Sequence, residues 1–323
     1  MDKNIEQQIR AEVWKQDLNK NADADLSEVF TELWRKKLLI VIFGIFFGVL
    51  GIIYALSQPN IYKASTVVAP AGEQSNQNLS GLNGLGGLAS LAGFNLTSAN
   101  AVDKTQMALQ IIKSRKFIAD FVERHNLKPL LFATKEWLPE SNTIVFDQEV
   151  FDENNKTWTR SVKFPYVSEP SDQEVVEVFR NVLEVEPAEV QGFYQISFLH
   201  QSPYIAKEVV ESLVHDLNDY MRKSEQAEAN KSIQFLNSKL LQVNAAEIRT
   251  VMYELIEEQT KTLMFTEVRE EYIFQTVDPA VAPEQRDSPA RTFIVLFSGV
   301  LGGTIGCLVV LVLMVIRKTK QPK

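Results

Sequence analysis

Hydrophobic positions change their period along the chain, and each change marks a different kind of element. Two stretches are apolar without interruption: Leu38–Leu56 runs 19 residues without a charge and Thr292–Ile316 runs 25. A hydrocarbon core of about 30 Å takes about 20 helical residues, so both stretches are predicted to span a membrane. The first has 37 residues ahead of it and no small-x-small pattern directly after Leu56, which reads as a span and not as a cleaved leader. Ahead of it, Leu26, Val29, Phe30, Leu33 and Trp34 recur on one helical face. Asp25 is placed to cap that face, and Glu28 follows three residues later as in a capping box. A short amphipathic helix anchored on the membrane surface is the expectation.

Between the spans the pattern alternates and then lengthens. Ile61–Val68 is rich in β-branched residues and stops before Pro70, a strand signal. Six of the 14 glycines then fall within 72–93, with Leu79, Leu82, Leu85, Leu88 and Leu91 every third residue. This stretch reads either as a loop or as an apolar partner contact. Asp103–Leu127 reads as a helix ended by Pro129, 130–170 as loops around short strands such as Ser161–Val167, Ser171–Val182 as a helix, and Gly192–Leu199 as a strand. From Pro203 to Pro279 there are 75 intervening residues without glycine or proline, and a helical region over about 204–270 is predicted. Were it one helix of about 60 residues, it would reach about 90 Å, unless it bends at the polar run Lys223–Lys231. Such a length calls for neighbours from other subunits. Tyr272–Val277 reads as a strand returning to a base domain. The prolines of Asp278–Arg291 (DPAVAPEQRDSPAR) make an extended tether into the second span.

The fold class is therefore α+β: two transmembrane helices flank a mixed domain with a long extended helix. The predicted divisions are a tail at 1–37, a span at 38–56, an extramembrane domain at 57–291 with its tether at 278–291, a span at 292–316 and a tail at 317–323. Charge sets the orientation. Lys20, Arg35, Lys36, Lys37, Arg317, Lys318, Lys320 and Lys323 outnumber Lys63, Arg286 and Arg291, which places both termini in the cytoplasm and 57–291 on the other side, the periplasm of a bacterium. A formal charge of −8 argues against nucleic acid as a partner. The spans carry Gly44/Gly48, Gly299/Gly303 and Gly302/Gly306 at GxxxG spacing, which lets helices approach closely within or between subunits. Glycine is also common in membrane helices for no such reason.

Signals for chemistry are weak. Cys307 stands alone and there are three histidines, His125, His200 and His215, without the spacing of a metal site. Glu257/Glu258 and Glu270/Glu271 are adjacent pairs, which diverge on a helix and read as solvated faces. No Walker A loop, GxSxG or HExxH occurs. No catalytic residue, cofactor or metal is expected, and seven residues after Ile316 leave no room for a kinase or signalling output domain. A pump adaptor with long helices would not ordinarily end in a second span.

Three segments together resemble a known family: Leu26-Ser-Glu-Val-Phe-Thr-Glu-Leu-Trp-Arg-Lys-Lys37, the proline-rich Asp278–Arg291, and the glycines of Leu301–Gly306 (LGGTIG). The chain is similar to the bacterial polysaccharide co-polymerases, specifically the Wzz-type chain-length determinants. The resemblance implies a homo-oligomeric inner-membrane ring with no catalytic activity. Such a ring sets the modal length of O-antigen or a related glycan made by a Wzy-type polymerase, with the nascent lipid-linked glycan and membrane lipid as further partners. It also implies that Pro279, Pro283, Pro289, Gly299, Gly303 and Gly306, alongside Gly44 and Gly48, are membrane-proximal or packing positions on which regulation depends. The alternative within the same resemblance is a capsule or exopolysaccharide co-polymerase working with a separate cytoplasmic tyrosine kinase. Trp137 and Trp158 stand open between glycan contact and core.

Overall fold

The computed structural model describes residues 31, 33–71, 99–243 and 245–319. Leu26–Phe30 of the expected amphipathic helix, the Gly/Leu-rich 72–93 stretch and the residues from 320 onward lie outside the described residues. The chain forms two units, Met1–Pro59 with Ser288–Lys323, and Asn60–Asp287. The first apolar stretch is the helix α1 (Lys37–Ser57).

The second unit opens with β1 (Tyr62–Pro70), longer than expected because Ala69 and Pro70 find partners in Gln275 and Phe274. The single helix expected over 103–127 is two, α2 (Ala99–Ile111) and α3 (Arg115–Arg124). Ser114 divides them: its backbone is extended, and its hydroxyl accepts from the Phe117 N–H at 3.3 Å, capping α3. Asn126, at φ 51°, turns the chain out of α3 and into α4 (Lys128–Phe132), so Pro129 sits in a helical first turn and does not end the preceding helix.

Next come two small hairpins, β2 (Thr134–Leu138) with β3 (Thr143–Phe146) and β4 (Phe151–Asp152) with β5 (Thr157–Trp158). The strand expected at Ser161–Val167 is a loop. Arg160 gathers it by donating to the carbonyls of Ser168 (2.6 Å) and Val167 (2.9 Å), and none of its residues pairs with a strand.

The helix α5 (Asp172–Val182) starts at a full capping box between Ser171 and Glu174. It leads to β6 (Leu183–Pro187) and, after Gly192 at φ 89°, to β7 (Tyr194–His200). Gly192 thus makes the turn before the strand and is not its first residue. The helix α6 (Pro203–Leu240) has Ser202 as its cap and proline in its first turn. The helix α7 (Ala246–Val268) and the strand β8 (Phe274–Asp278) complete the unit.

Four strands form one antiparallel sheet in the order β6-β7-β1-β8. Alternation along β1 turns Ala64, Thr66 and Val68 inward, where they join Ile196 and Phe198 of β7 and Phe274 of β8. Helices α3, α5 and α6 close this face with Phe121, Phe179, Leu213 and Leu217, each at most 1% exposed. Burying such side chains contributes roughly 1.5–3 kcal/mol each.

The continuous 60-residue helix is not what forms. Helix α6 ends at Leu240, and α7 starts at Ala246 without a side-chain cap. The two pack against each other. Asn218 of α6 bonds to Ile273 and Phe274 just beyond α7, so the chain that leaves along α6 has returned by the end of α7. The result is a helical hairpin whose outgoing arm beyond Asn218 is about 33 Å long at 1.5 Å per residue. Past Met221 the arm of α6 buries only Ala229, and α7 buries only Thr266.

The second apolar stretch is α8 (Arg291–Thr319). Both α1 and α8 are long and apolar enough to cross a membrane.

Candidate functional site: the paired apolar helices and the proline tether

Helices α1 and α8 pack side by side through glycine. A methyl placed on Gly302 would lie 2.6 Å from the Phe47 Cβ and 2.7 Å from the Phe43 carbonyl oxygen. One on Gly306 would lie 3.0 Å from the Ile40 Cα. One on Gly51 would collide with the Ser298 side chain, its Cβ being 2.7 Å away. Gly44 is looser, facing the Gly299 carbonyl oxygen at 3.7 Å. Residues 40, 43–47 and 51 of α1 therefore meet 306, 302 and 298 of α8 in turn, which makes the pair antiparallel. Close backbone approach of this kind is how small residues join helices where lipid supplies no hydrophobic drive.

The glycines named from their spacing divide between two surfaces. Gly44, Gly302 and Gly306 face the partner helix, while methyls on Gly48, Gly299 and Gly303 would meet nothing within 4 Å. Gly51, buried with Ala55, is part of the contact and was not among the expected positions. It stands seven residues after Gly44, a heptad spacing that a search for four-residue spacing passes over. Cys307 is half-buried beside this face.

The proline segment has no helix or strand from Pro279 to Asp287. Its first part is anchored in the second unit, where Ala280 is 3% exposed and belongs to the core. The Asp287 N–H donates to the Ile61 carbonyl at 2.8 Å. Pro279 is exposed, and Pro283 is half-buried. Pro289, also half-buried, follows a cis peptide bond just before α8. In the helix-pair unit, Arg291 reaches the Gln58 carbonyl at 3.5 Å, closing the ends of α1 and α8.

The residues weighed for chemistry serve structure. Burial pushes the His200 imidazole below its ordinary pKa. Its Nδ1 accepts from the Ser202 N–H at 3.0 Å, which leaves Nε2 to donate to the Leu130 carbonyl at 3.2 Å. His215 is exposed, while His125 and Arg124 both reach Asp216 Oδ2, at 3.0 and 2.6 Å. Glu257 pairs with Lys261, which holds its carboxyl below the usual range, and Glu271 accepts from the Thr276 N–H. Trp158 packs with Phe151 and Phe132. Trp137 stacks edge-on with Tyr62. Among the described residues no group of three or more histidine, cysteine or acidic side chains could hold a metal.

Residues 22–125 match the Wzz family, described as chain length determinant protein. The matched segment contains the Leu26–Lys37 motif, α1, β1 and the helices through α3, while the proline tether and the LGGTIG glycines lie beyond it. No curated protein matches the chain. Among solved structures, a full-length bacterial polysaccharide co-polymerase aligns at 13% identity over 91% of this chain and 98% of its own, with a TM-score of 0.39. A fragment of WzzB, a polysaccharide co-polymerase from Salmonella Typhimurium, aligns at 12% identity over 71% of this chain and 100% of its own, with a TM-score of 0.28.

Proposed function

We propose that this protein is a non-catalytic regulator of surface-glycan chain length in the bacterial inner membrane. It would act as a polysaccharide co-polymerase beside a Wzy-type polymerase. The observation that carries this reading is the family match over residues 22–125, joined to two helices able to cross a membrane, one before and one after an α+β unit in the chain. The excess of basic residues on the terminal flanks of the two spans over the flanks that face residues 57–291 supports cytoplasmic termini and a periplasmic domain. The exposed helical hairpin, with Phe235, Leu241 and Tyr253 more than half exposed, supports assembly with further copies of the chain. Pro279, Pro283, Pro289, Gly299, Gly303, Gly306, Gly44 and Gly48 are the positions through which span packing and assembly would set the glycan length.

The glycan itself is identified by experiment. Lipopolysaccharide and capsule are compared on gels from the native host, from a strain lacking this chain, and after complementation. Loss and recovery of the modal cluster in the lipopolysaccharide ladder supports O-antigen. An unchanged ladder with shifted capsule or secreted polysaccharide supports the co-polymerase that works with a separate tyrosine kinase. No change in any glycan overturns the proposal.

A further inference from the structure

We propose that one edge of the α+β unit is an aromatic sill that rests in the lipid headgroup layer, with Tyr62, Trp137 and Tyr204 as its lipid-contacting residues. The inference rests on α1 and α8 crossing a membrane, and it adds a membrane-binding surface outside them. The three rings come from distant parts of the chain, at the start of β1, in β2 and in the first turn of α6. Tyr62 meets Trp137 edge-on with centroids 5.6 Å apart, and Trp137 meets Tyr204 at 6.2 Å. Tyr204 is 53% exposed and the neighbouring Leu138 is 39% exposed. The Trp137 indole N–H is already satisfied, donating to Asn142 Oδ1 at 2.9 Å, so the ring is free to lie against apolar matter without stranding a donor.

Chain connectivity selects lipid as the occupant. Residues 58–60 link the last residue of α1, Ser57, to Ile61, and 288–290 link Asp287 to Arg291 of α8. Four steps of about 3.5 Å limit each link to about 14 Å. Both links leave the unit at one corner, since the Asp287 N–H is bonded to the Ile61 carbonyl at 2.8 Å, and Tyr62 is the next residue. The headgroup region occupies about 5–8 Å on each side of a hydrocarbon core about 30 Å thick. Tryptophan and tyrosine concentrate there because their rings are apolar and their tips polar. A sugar could stack on the same rings, but nothing in the connectivity delivers one there.

The test uses the full chain in phosphatidylcholine vesicles, with and without a nitroxide on the headgroup. Trp14→Phe, Trp34→Phe and Trp158→Phe together leave Trp137 as the fluorophore. A second variant leaves only Trp34, which reports insertion of the first span. The expected result is that Trp137 loses about half of its emission to the headgroup nitroxide, as an interfacial indole does. Quenching of Trp34 without quenching of Trp137 overturns the sill while leaving the membrane reading intact, and quenching of neither overturns both.

Because removing Trp158 disturbs its aromatic cluster, a second measurement avoids it. In a Cys307→Ser background, spin labels are placed by Tyr204→Cys and, as a control, by Val190→Cys in the exposed turn between β6 and β7, at the end of the sheet away from Tyr62. A label at 204 more shielded from a water-soluble relaxation agent than the label at 190, and only when vesicles are present, supports the sill. Equal accessibility overturns it.

Discussion

Asn218 on α6 holds Phe274 by both its backbone groups. The Asn218 Oδ1 accepts from the Phe274 N–H at 3.0 Å and from the Ile273 N–H at 2.8 Å, and its Nδ2 donates to the Phe274 carbonyl at 2.9 Å. Asn218 is 3% exposed and Phe274 is fully buried. One amide thereby fixes where the returning chain rejoins the sheet. Asn218→Ala leaves two N–H donors and a carbonyl buried without this partner, and each unmet group costs about 1–3 kcal/mol. The expected outcome is a loss of about 3 kcal/mol or more in the unfolding free energy of the full chain, read from denaturant titration. Asn218→Asp keeps the acceptor but sets a carboxylate against the Phe274 carbonyl, so it too is expected to destabilise.

A second prediction concerns pH. Arg160 grips Glu174 with two bonds, of 2.7 and 3.0 Å, and both side chains are largely buried. The guanidinium, aided by Ser171, lowers the Glu174 pKa from 4.5 to about 2. A carboxyl depressed in the folded state contributes stability that is present above its unfolded pKa and is lost as pH falls through the folded one. Stability at this site is thus expected to decline between about pH 4.5 and 2. Glu174→Gln should weaken the protein at neutral pH and remove most of that decline, as measured by unfolding midpoints across the acid range.

These two sites illustrate what could be read from the residue pattern. The helix expected at Ser171–Val182 forms as Asp172–Val182, but the capping box that starts it and the proline in the first turn of α6 are local signals that a reading by period did not use. Other features depend on partners remote in sequence. Strands β2 to β5 are short and partly exposed, so their alternation is too brief to register. The break after Leu240 has neither glycine nor proline to announce it. The pairing of β1 with β8 joins residues about 200 positions apart. In the helix pair, four-residue spacing found Gly302 and Gly306, but it could not separate the face that meets α1 from the face that carries Gly303.

That separation supplies a third prediction. Gly302→Leu drives a side chain into Phe43 and Phe47, and overpacking of this kind costs about 1–3 kcal/mol or forces the helices apart. Gly303→Leu meets open space and is expected to leave the thermal stability of the detergent-solubilised chain unchanged. If Gly303→Leu nevertheless alters glycan length, the effect runs through contacts outside the single chain.

The helical hairpin gives a fourth. Leu241, 89% exposed at the turn, contributes little to the fold of one chain, and Leu241→Asp should change unfolding free energy by no more than about 0.5 kcal/mol. If further copies cover the turn, the same substitution should reduce the assembly size seen by analytical ultracentrifugation in detergent.

The decisive measurement separates chain length from polymer formation. In a strain that lacks this protein but keeps its polymerase, the total repeat units incorporated and the length distribution are quantified together, with and without the restored chain. A non-catalytic length regulator should leave repeat units still being polymerised while the modal cluster disappears and then returns on complementation. Loss of polymerisation itself, or a distribution indifferent to the chain, would contradict it.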